Sequence, residues 1–337
     1  VNVSRNSRLF VLMAVTAVFG LVVSGCTATP ASAAPTMQVV GYAEAGSTPT
    51  SRLDASKTAL STVGVDGINV ERGGASLSAV SPEALALLKA AHARHEKAEL
   101  LVGNFDGDLG DFSSAIGDAL LGSPSNIDSV VALLAAEVQK YGWDGVTIDL
   151  ESLSSKYPTE LTSLVSKLNS ALGAGKSVSI CLMATTGRYA DLGYDVRGLG
   201  RAADHVVLMA YDQHGPTWTK GGPVGGLPWV KKTMAPLVRT VPATRIQLGI
   251  AGYGYTWPAK GDGTQVSDGA ARALVKRAKA KAIWSTTQRE WHATLSNGTV
   301  VWWSDAKSYR ARLAYAKQLR IGGVAVWSLG LSDPLTR

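Results

Sequence analysis

Two cysteines in 337 residues are too few for a disulfide framework, and their positions argue against a single bridge. Cys181 lies in the apolar run 178–183 and Cys26 in the N-terminal leader, so no disulfide is expected and Cys181 reads as a small buried hydrophobe. Long apolar runs are also scarce. Beyond the leader, no segment reaches the roughly 18 uninterrupted apolar residues of a membrane span. The five histidines, His92 and His95 on one predicted helix and His205, His214 and His292 apart, have no HExxH spacing or similarly placed acidic partner. No metal and no cofactor is expected. A nucleophile-elbow Gly-x-Ser-x-Gly, a phosphate-binding Walker loop and a dinucleotide fingerprint are missing, as is any internal repeat that would build a solenoid. The chain carries 33 Lys and Arg against 26 Asp and Glu, a net +7, yet has no long basic block. The cluster Lys276, Arg277, Lys279 and Lys281 reads as a solvated helix face, and nucleic acid is not an expected partner.

What is present describes a soluble α/β protein: 46% hydrophobic and 18% charged residues, with 36 glycines spread along the chain. Arg5 and Arg8 precede an apolar run over 9–23 that ends in small residues, the pattern of an export signal. Val23-Ser24-Gly25-Cys26 resembles a bacterial lipobox, and Ala31-Ser32-Ala33 offers a competing cleavage site. The lipobox is the favoured reading. It predicts a signal peptide over 1–25, a tether over 26–36, lipidation and membrane attachment at Cys26, and an extracytoplasmic location, with a secreted protein as the alternative. Removing 1–25 lowers the net charge to +5. A monomer is expected.

From Pro35 onwards β-rich runs alternate with amphipathic helical stretches, as in a parallel sheet covered by helices. Strands are expected to begin near Val39, Gly67, Glu99, Asp144, Ser177, His205, Arg245 and Gly322, with helices over 82–95, 127–141, 160–172, 229–238 and 306–319 among those between them. This number of strands closes a (β/α)8 TIM barrel, placed at 37–337. The last two strands are too far apart for one crossover helix. The excess, 258–305, is expected to form a small α+β insertion with a helix over 268–281 and strands over 290–295 and 299–303 about an Asn297-Gly298 hairpin.

In Asp144-Gly145-Val146-Thr147-Ile148-Asp149-Leu150-Glu151, alternation sends Val146, Ile148 and Leu150 to one face and Thr147, Asp149 and Glu151 to the other. The apolar face meets helices and the polar face enters the barrel. Two carboxylates at the C-terminal end of a barrel strand sit where such barrels place their sites, and crowding with partial burial raises at least one pKa. A general acid needs that shift. An ion-paired strand end is the competing reading of the spacing alone.

The segment resembles the DGxDxDxE signature of glycoside hydrolase family 18. The resemblance continues in order through Met209-Ala210-Tyr211-Asp212, Gly249-Ile250-Ala251-Gly252-Tyr253-Gly254 and Gly322-Gly323-Val324-Ala325-Val326-Trp327, and covers the whole barrel. It implies substrate-assisted, retaining hydrolysis of N-acetylglucosamine-containing glycans of the chitin or peptidoglycan type, with Glu151 as acid, Asp149 orienting the acetamido group and Tyr211 bonding it. It further implies sugar contacts from Asp212 and Trp327, with Tyr42, Met209 and Tyr253 as additional candidates. Met209 also reads as packing.

Three positions depart from the pattern. Thr147 replaces the middle aspartate, so shuttling of Asp149 towards it is lost or replaced by a hydroxyl bond. The third strand reads Leu100-Leu101-Val102-Gly103-Asn104-Phe105 without S-x-G-G, and Tyr255 stands where many members have arginine. These changes resemble the spore-cortex-lytic and cell-wall branch. Trp218, Trp257, Trp284, Trp291, Trp302 and Trp303 offer flat faces for sugar stacking, at least half of them being expected as packing residues, and Trp143 is expected in the core. The rival reading is a weak or inactive carbohydrate-binding barrel of the same fold.

Overall fold

The computed structural model describes residues 37–337. The expected signal peptide, tether and lipidated Cys26 fall outside the described residues. Eight parallel strands close a barrel: β1 Gln38–Glu44, β2 Thr62–Asn69, β3 Lys97–Gly103, β4 Gly145–Asp149, β5 Ser177–Met183, β6 His205–Met209, β7 Ile246–Ala251 and β8 Gly323–Trp327. Closure is made by β8 against β1, with Gln38 opposite Gly323 and Gly41 opposite Val326.

Alternation along each strand divides the core in two. Val146, Ile148, Val178, Ile180, Leu248 and Ile250 face outwards and join the helices in the main apolar layer. Val40, Tyr42, Leu101, Cys181, Val207, Met209 and Ala325 fill the barrel itself. Gly64 makes room for one of these: a Cβ there would lie 2.3 Å from the Tyr42 ring. Helix starts follow the local chemistry. Ser81 and Ser123 accept bonds from Ala84 N–H and Asn126 N–H, and each is followed by proline, which opens Pro82–His92 and Pro124–Tyr141.

Several boundaries differ from expectation. β2 starts at Thr62 rather than near Gly67, because Thr62-Val63-Gly64-Val65 already pairs with both neighbours. A β-bulge between Asp66 and Ile68 disguises the alternation. The helix expected over 82–95 stops at His92, and His95 turns left-handed with φ 61°.

The inserted unit is a five-stranded antiparallel sheet ordered Gln265–Ser267, Tyr253–Trp257, Val300–Trp303, Glu290–Thr294, Ile283–Ser285, with helix Asp268–Arg277 on one face. It thus draws in Tyr253–Trp257, ahead of the 258 boundary expected. Its hairpin turns over 295–298, where Gly298 N–H bonds the Leu295 carbonyl at 2.9 Å and Gly298 takes φ 82°. Trp302 and Trp303 face opposite ways. Trp303 is buried against the helix side, while Trp302 stacks on His292 at 4.5 Å.

Candidate active site

β4 delivers its residues as alternation requires. Val146, Ile148 and Leu150 are buried outwards, Thr147 and Asp149 point into the barrel, and Glu151 stands just past the strand end. The strand end is held by Asn104, a fully buried residue following β3. Its Nδ2 donates to the Glu151 and Ser113 carbonyls, each at 2.9 Å, and its Oδ1 accepts from Glu151 N–H at 2.9 Å. This amide replaces a backbone ladder where β4 has ended.

Burial pushes the Glu151 carboxyl up to about 9, and the negative charges of Asp149, Asp212 and Asp111 add to the rise. Asp149 is pushed up to about 7, by burial first and by Asp66 second, against a hydrogen bond from the Cys181 thiol. The two carboxyls therefore retain a proton between them at neutral pH. Asp149 is 5% exposed, and its Oδ1 is buried with no hydrogen-bond partner among the described residues.

Below this pair lies a polar floor. Glu99 on β3 accepts hydroxyl bonds from Thr147 (2.8 Å), Ser177 (2.7 Å) and Ser179 (2.9 Å). The Thr147 hydroxyl is thus directed down to Glu99, not up to Asp149. Cys181, expected as a plain hydrophobe, has the Tyr42 hydroxyl 3.8 Å from its sulfur.

The remaining candidates sit around the same mouth. Tyr211 and Asp212 follow β6, Asp212 in the left-handed region at φ 58°. The hydroxyls of Tyr253 and Tyr255 donate to Asp212 Oδ1 at 2.6 and 2.8 Å. Burial still holds Asp212 above the usual carboxylate range. Trp327 closes β8 with its ring 5.8 Å from that of Tyr42, and the Trp327–Ser328 peptide is cis. Met209 is packed inside the barrel with Tyr42, and Tyr253 is buried with its hydroxyl engaged on Asp212.

Trp218, 56% exposed, lies edge-on to Tyr255 at 6.0 Å and presents a face to solvent. The other tryptophans are more enclosed. Trp257 is buried and donates to the Gly215 carbonyl, Trp284, Trp291 and Trp303 pack together, and Trp143 is fully buried. Loop 213–226, which carries Trp218, is pinned by Glu290 of the inserted sheet. Glu290 accepts from Val224 and Gly225 N–H and pairs with buried Arg312 at 2.6 Å.

Sequence reading missed Asn104, Glu99, Asp66, Asp111 and the role of Tyr255. Only Tyr255 carried a usable signal, the Tyr-x-Tyr spacing that puts Tyr253 and Tyr255 on one face.

Comparison with known proteins agrees with this geometry. The family model described as Glycosyl hydrolases family 18 matches residues 74–332. The uncharacterized glycosylase YvbX of Bacillus subtilis is 23% identical over 304 residues, covering 86% of this chain and 87% of that protein. The cortical fragment-lytic enzyme of Bacillus anthracis is 24% identical over 67% of this chain, which spans 55% of that enzyme's length. Among solved structures, the Bacillus cereus spore cortex-lytic enzyme SleL superposes with a TM-score of 0.79 at 20% identity, covering 90% of this chain and 73% of that one. A chitinase from Chromobacterium violaceum gives 0.77 at 27% identity over 88% of this chain and 95% of its own. On the barrel, the carboxylates ending its fourth strand and the match over 74–332, the chain belongs to glycosyl hydrolase family 18 and is a glycoside hydrolase.

Proposed function

We propose that the chain is an exported, retaining glycosidase that cleaves β-1,4-linked N-acetylglucosamine-containing glycans of the peptidoglycan or chitin type by substrate-assisted catalysis. The observation that carries this reading is the unpartnered, buried Asp149 Oδ1 two residues before a carboxyl, Glu151, that burial keeps protonated. A retaining glycosidase needs a nucleophile besides its acid. In this reading the buried Asp149, 5% exposed, is not that nucleophile but accepts a hydrogen bond from the acetamido N–H of the sugar.

Glu151 then gives its proton to the glycosidic oxygen as the bond to the anomeric carbon breaks. The acetamido carbonyl oxygen of the same sugar attacks that carbon from the opposite face and closes an oxazolinium ring, whose positive charge the Asp149 carboxylate offsets. Tyr211 donates to the acetamido oxygen and Asp212 binds the sugar, while Trp327 lies under the ring. Glu151, now a carboxylate, takes a proton from water as its oxygen opens the ring, restoring the acid with retention. Lipidation of Cys26 keeps the barrel at the membrane surface. The cortical fragment-lytic and cortex-lytic relatives favour a cell-wall glycan as substrate.

The test incubates purified wild type and Glu151→Gln with chitooligosaccharides and with peptidoglycan, reading new reducing ends, product masses and the anomeric configuration of the first product. Cleavage by wild type alone, with a retained β-anomer and inhibition by a sugar thiazoline that mimics the bicyclic intermediate, supports the reading. Inverted product rules out the mechanism. Binding without cleavage by folded wild type at every pH from acidic to neutral makes the barrel a carbohydrate-binding protein.

A further inference from the structure

Charge is spread unevenly over this fold. Residues 269–320, which hold most of the inserted unit and the helix Ala306–Leu319, carry eleven Lys and Arg against two acids, Glu290 and Asp305, a net +9. Residues 37–337 together total only +5, so the remainder of the described chain is net negative. Neither acid offsets the surface charge: Glu290 is buried against Arg312, and Asp305 is spent capping the helix Ala306–Leu319. Ten of the eleven cations are exposed. Of these ten, Arg272 pairs with Asp333 at 2.6 Å, and the others have no ion-pair partner among the described residues.

Along the sequence the cluster Lys276, Arg277, Lys279 and Lys281 is one helix face; in the fold it is the centre of a broader surface. Lys276 and Arg277 end the helix Asp268–Arg277, Lys279 and Lys281 occupy the turn after it, and that turn leads into Ile283–Ser285, the edge strand of the inserted sheet. Lys307 joins from the following helix, its Nζ 4.1 Å from the centre of the Trp284 ring. Lys307, Arg310 and Lys317 share one stripe of that helix, which carries the charge on for about 15 Å. On its far flank, Lys231 of the helix Leu227–Thr240 lies 5.5 Å over the Tyr315 ring, and no acid occurs between 213 and 240. At the most charged point stands an apolar side chain. Ile283 is 47% exposed, beside the exposed Ala282 and just after Lys279 and Lys281.

We infer that this face, centred on 276–283, docks the barrel on an anionic lipid surface, its lysines and arginines against phosphate headgroups and Ile283 entering between them. Both features are needed for that assignment. A soluble polyanion would answer the charge and leave Ile283 in water, whereas a bilayer interface accepts cations at the headgroups and an apolar side chain just beneath. The face also lies away from the barrel mouth. Helix Asp268–Arg277 packs on the sheet face of Trp303, while Tyr255, bonded to Asp212, lies on the opposite one. Docking by the helix side therefore leaves the mouth uncovered, with its carboxyls turned from a surface that would repel them. The contact needs neither a lipid on Cys26 nor hydrolysis.

The test uses residues 37–337, which contain every strand of the closed barrel and of the inserted sheet and lack Cys26. Co-sedimentation is measured with vesicles of phosphatidylcholine alone and of phosphatidylcholine with about 30% phosphatidylglycerol. Binding is expected to the second only, weakening at least about tenfold between about 0.05 and about 0.2 M salt. Neutralising the patch by Lys276→Gln, Arg277→Gln, Lys279→Gln and Lys281→Gln together should raise Kd at least about a hundredfold. The control Lys57→Gln, Lys89→Gln, Lys156→Gln and Arg197→Gln removes the same charge at exposed positions elsewhere and should raise it less than about fivefold. Ile283→Ser should weaken vesicle binding about threefold or more while leaving binding to soluble poly(glycerol phosphate) unchanged. All nine side chains are exposed, and melting within about 2 °C of wild type certifies each variant as folded. No binding to phosphatidylglycerol vesicles, or equal losses in patch and control, overturns the proposal. Ile283→Ser binding vesicles as wild type does, or wild type holding soluble poly(glycerol phosphate) as tightly as vesicles, assigns the face to a wall polyanion and overturns the lipid surface.

Discussion

Replacing Asn104 by alanine removes three buried hydrogen bonds at once, two to the Glu151 backbone and one to the Ser113 carbonyl. The Glu151 N–H and two carbonyls lose their partner in a place water enters poorly, since Asn104 itself is 0% exposed. An orphaned buried group costs about 1–3 kcal/mol, and some recovery through relaxation leaves an expected loss of about 2–4 kcal/mol. For a barrel of this size that is a fall in Tm on the order of 3–6 °C. Activity should fall further than stability explains. A Glu151 carboxyl displaced by about 1 Å loses on the order of a hundredfold in kcat, measured well below the melting temperature on whichever oligosaccharide wild type cleaves. Asn104→Asp separates geometry from volume. Its carboxylate still accepts from Glu151 N–H but opposes two carbonyl oxygens, so the variant should be as unstable as alanine at neutral pH and recover on acidification as the carboxyl protonates and regains a donor. An alanine variant within about 1 °C and twofold of wild type, or an aspartate variant whose stability ignores pH, would refute the clamp.

Three further outcomes follow from the same structure. The raised Glu151 carboxyl stabilises the fold below its unfolded value near 4.5 and loses that contribution as pH rises through about 9. Glu151→Gln should therefore melt higher than wild type at about pH 8 and no higher at about pH 4; equal melting at both would show that the carboxyl is not desolvated. Arg312→Met leaves the Glu290 charge buried without its cation and should lose about 3–5 kcal/mol by thermal unfolding, with part of it recovered by adding Glu290→Gln, which removes the charge but keeps an acceptor for the loop amides. Cys26→Ala should abolish incorporation of labelled fatty acid and release the protein from the membrane fraction, and a wild type that takes up no label removes the anchor.

The parts of the fold set by local pattern were legible. The two-residue period over 144–151, the spacing of four motifs and the helix start at 82 each follow from neighbours in sequence, and the structure places them accordingly, whereas the helix expected from 127 opens earlier, at Pro124 after Ser123. What was hidden depends on partners far along the chain. Glu99 and Thr147 are 48 residues apart, and nothing in either segment says that one hydroxyl will point down to the other. Asp66 was obscured because the bulge at Gly67 breaks the alternation by which an inward residue is recognised. Tyr253–Trp257 was misplaced for a similar reason: Gly252 is a single residue between the last barrel strand before the insertion and the first strand of the inserted sheet, so the two read as one run. Asn104 sits where β3 has ended, beyond the reach of any strand pattern.

The pairing of Glu290 with Arg312 limits how this barrel can be re-engineered. Glu290 belongs to the inserted sheet, the amides it binds belong to the loop after β6, and Arg312 belongs to helix Ala306–Leu319 of the barrel wall. An insertion grafted from another barrel without a matching acid would strand a guanidinium in the interior and leave two backbone amides unbound, so the graft would damage the recipient even if the insert itself folded. Exchange at this position succeeds only when sheet, loop and helix travel together, which makes the three a single heritable module although they lie in separate stretches of the chain.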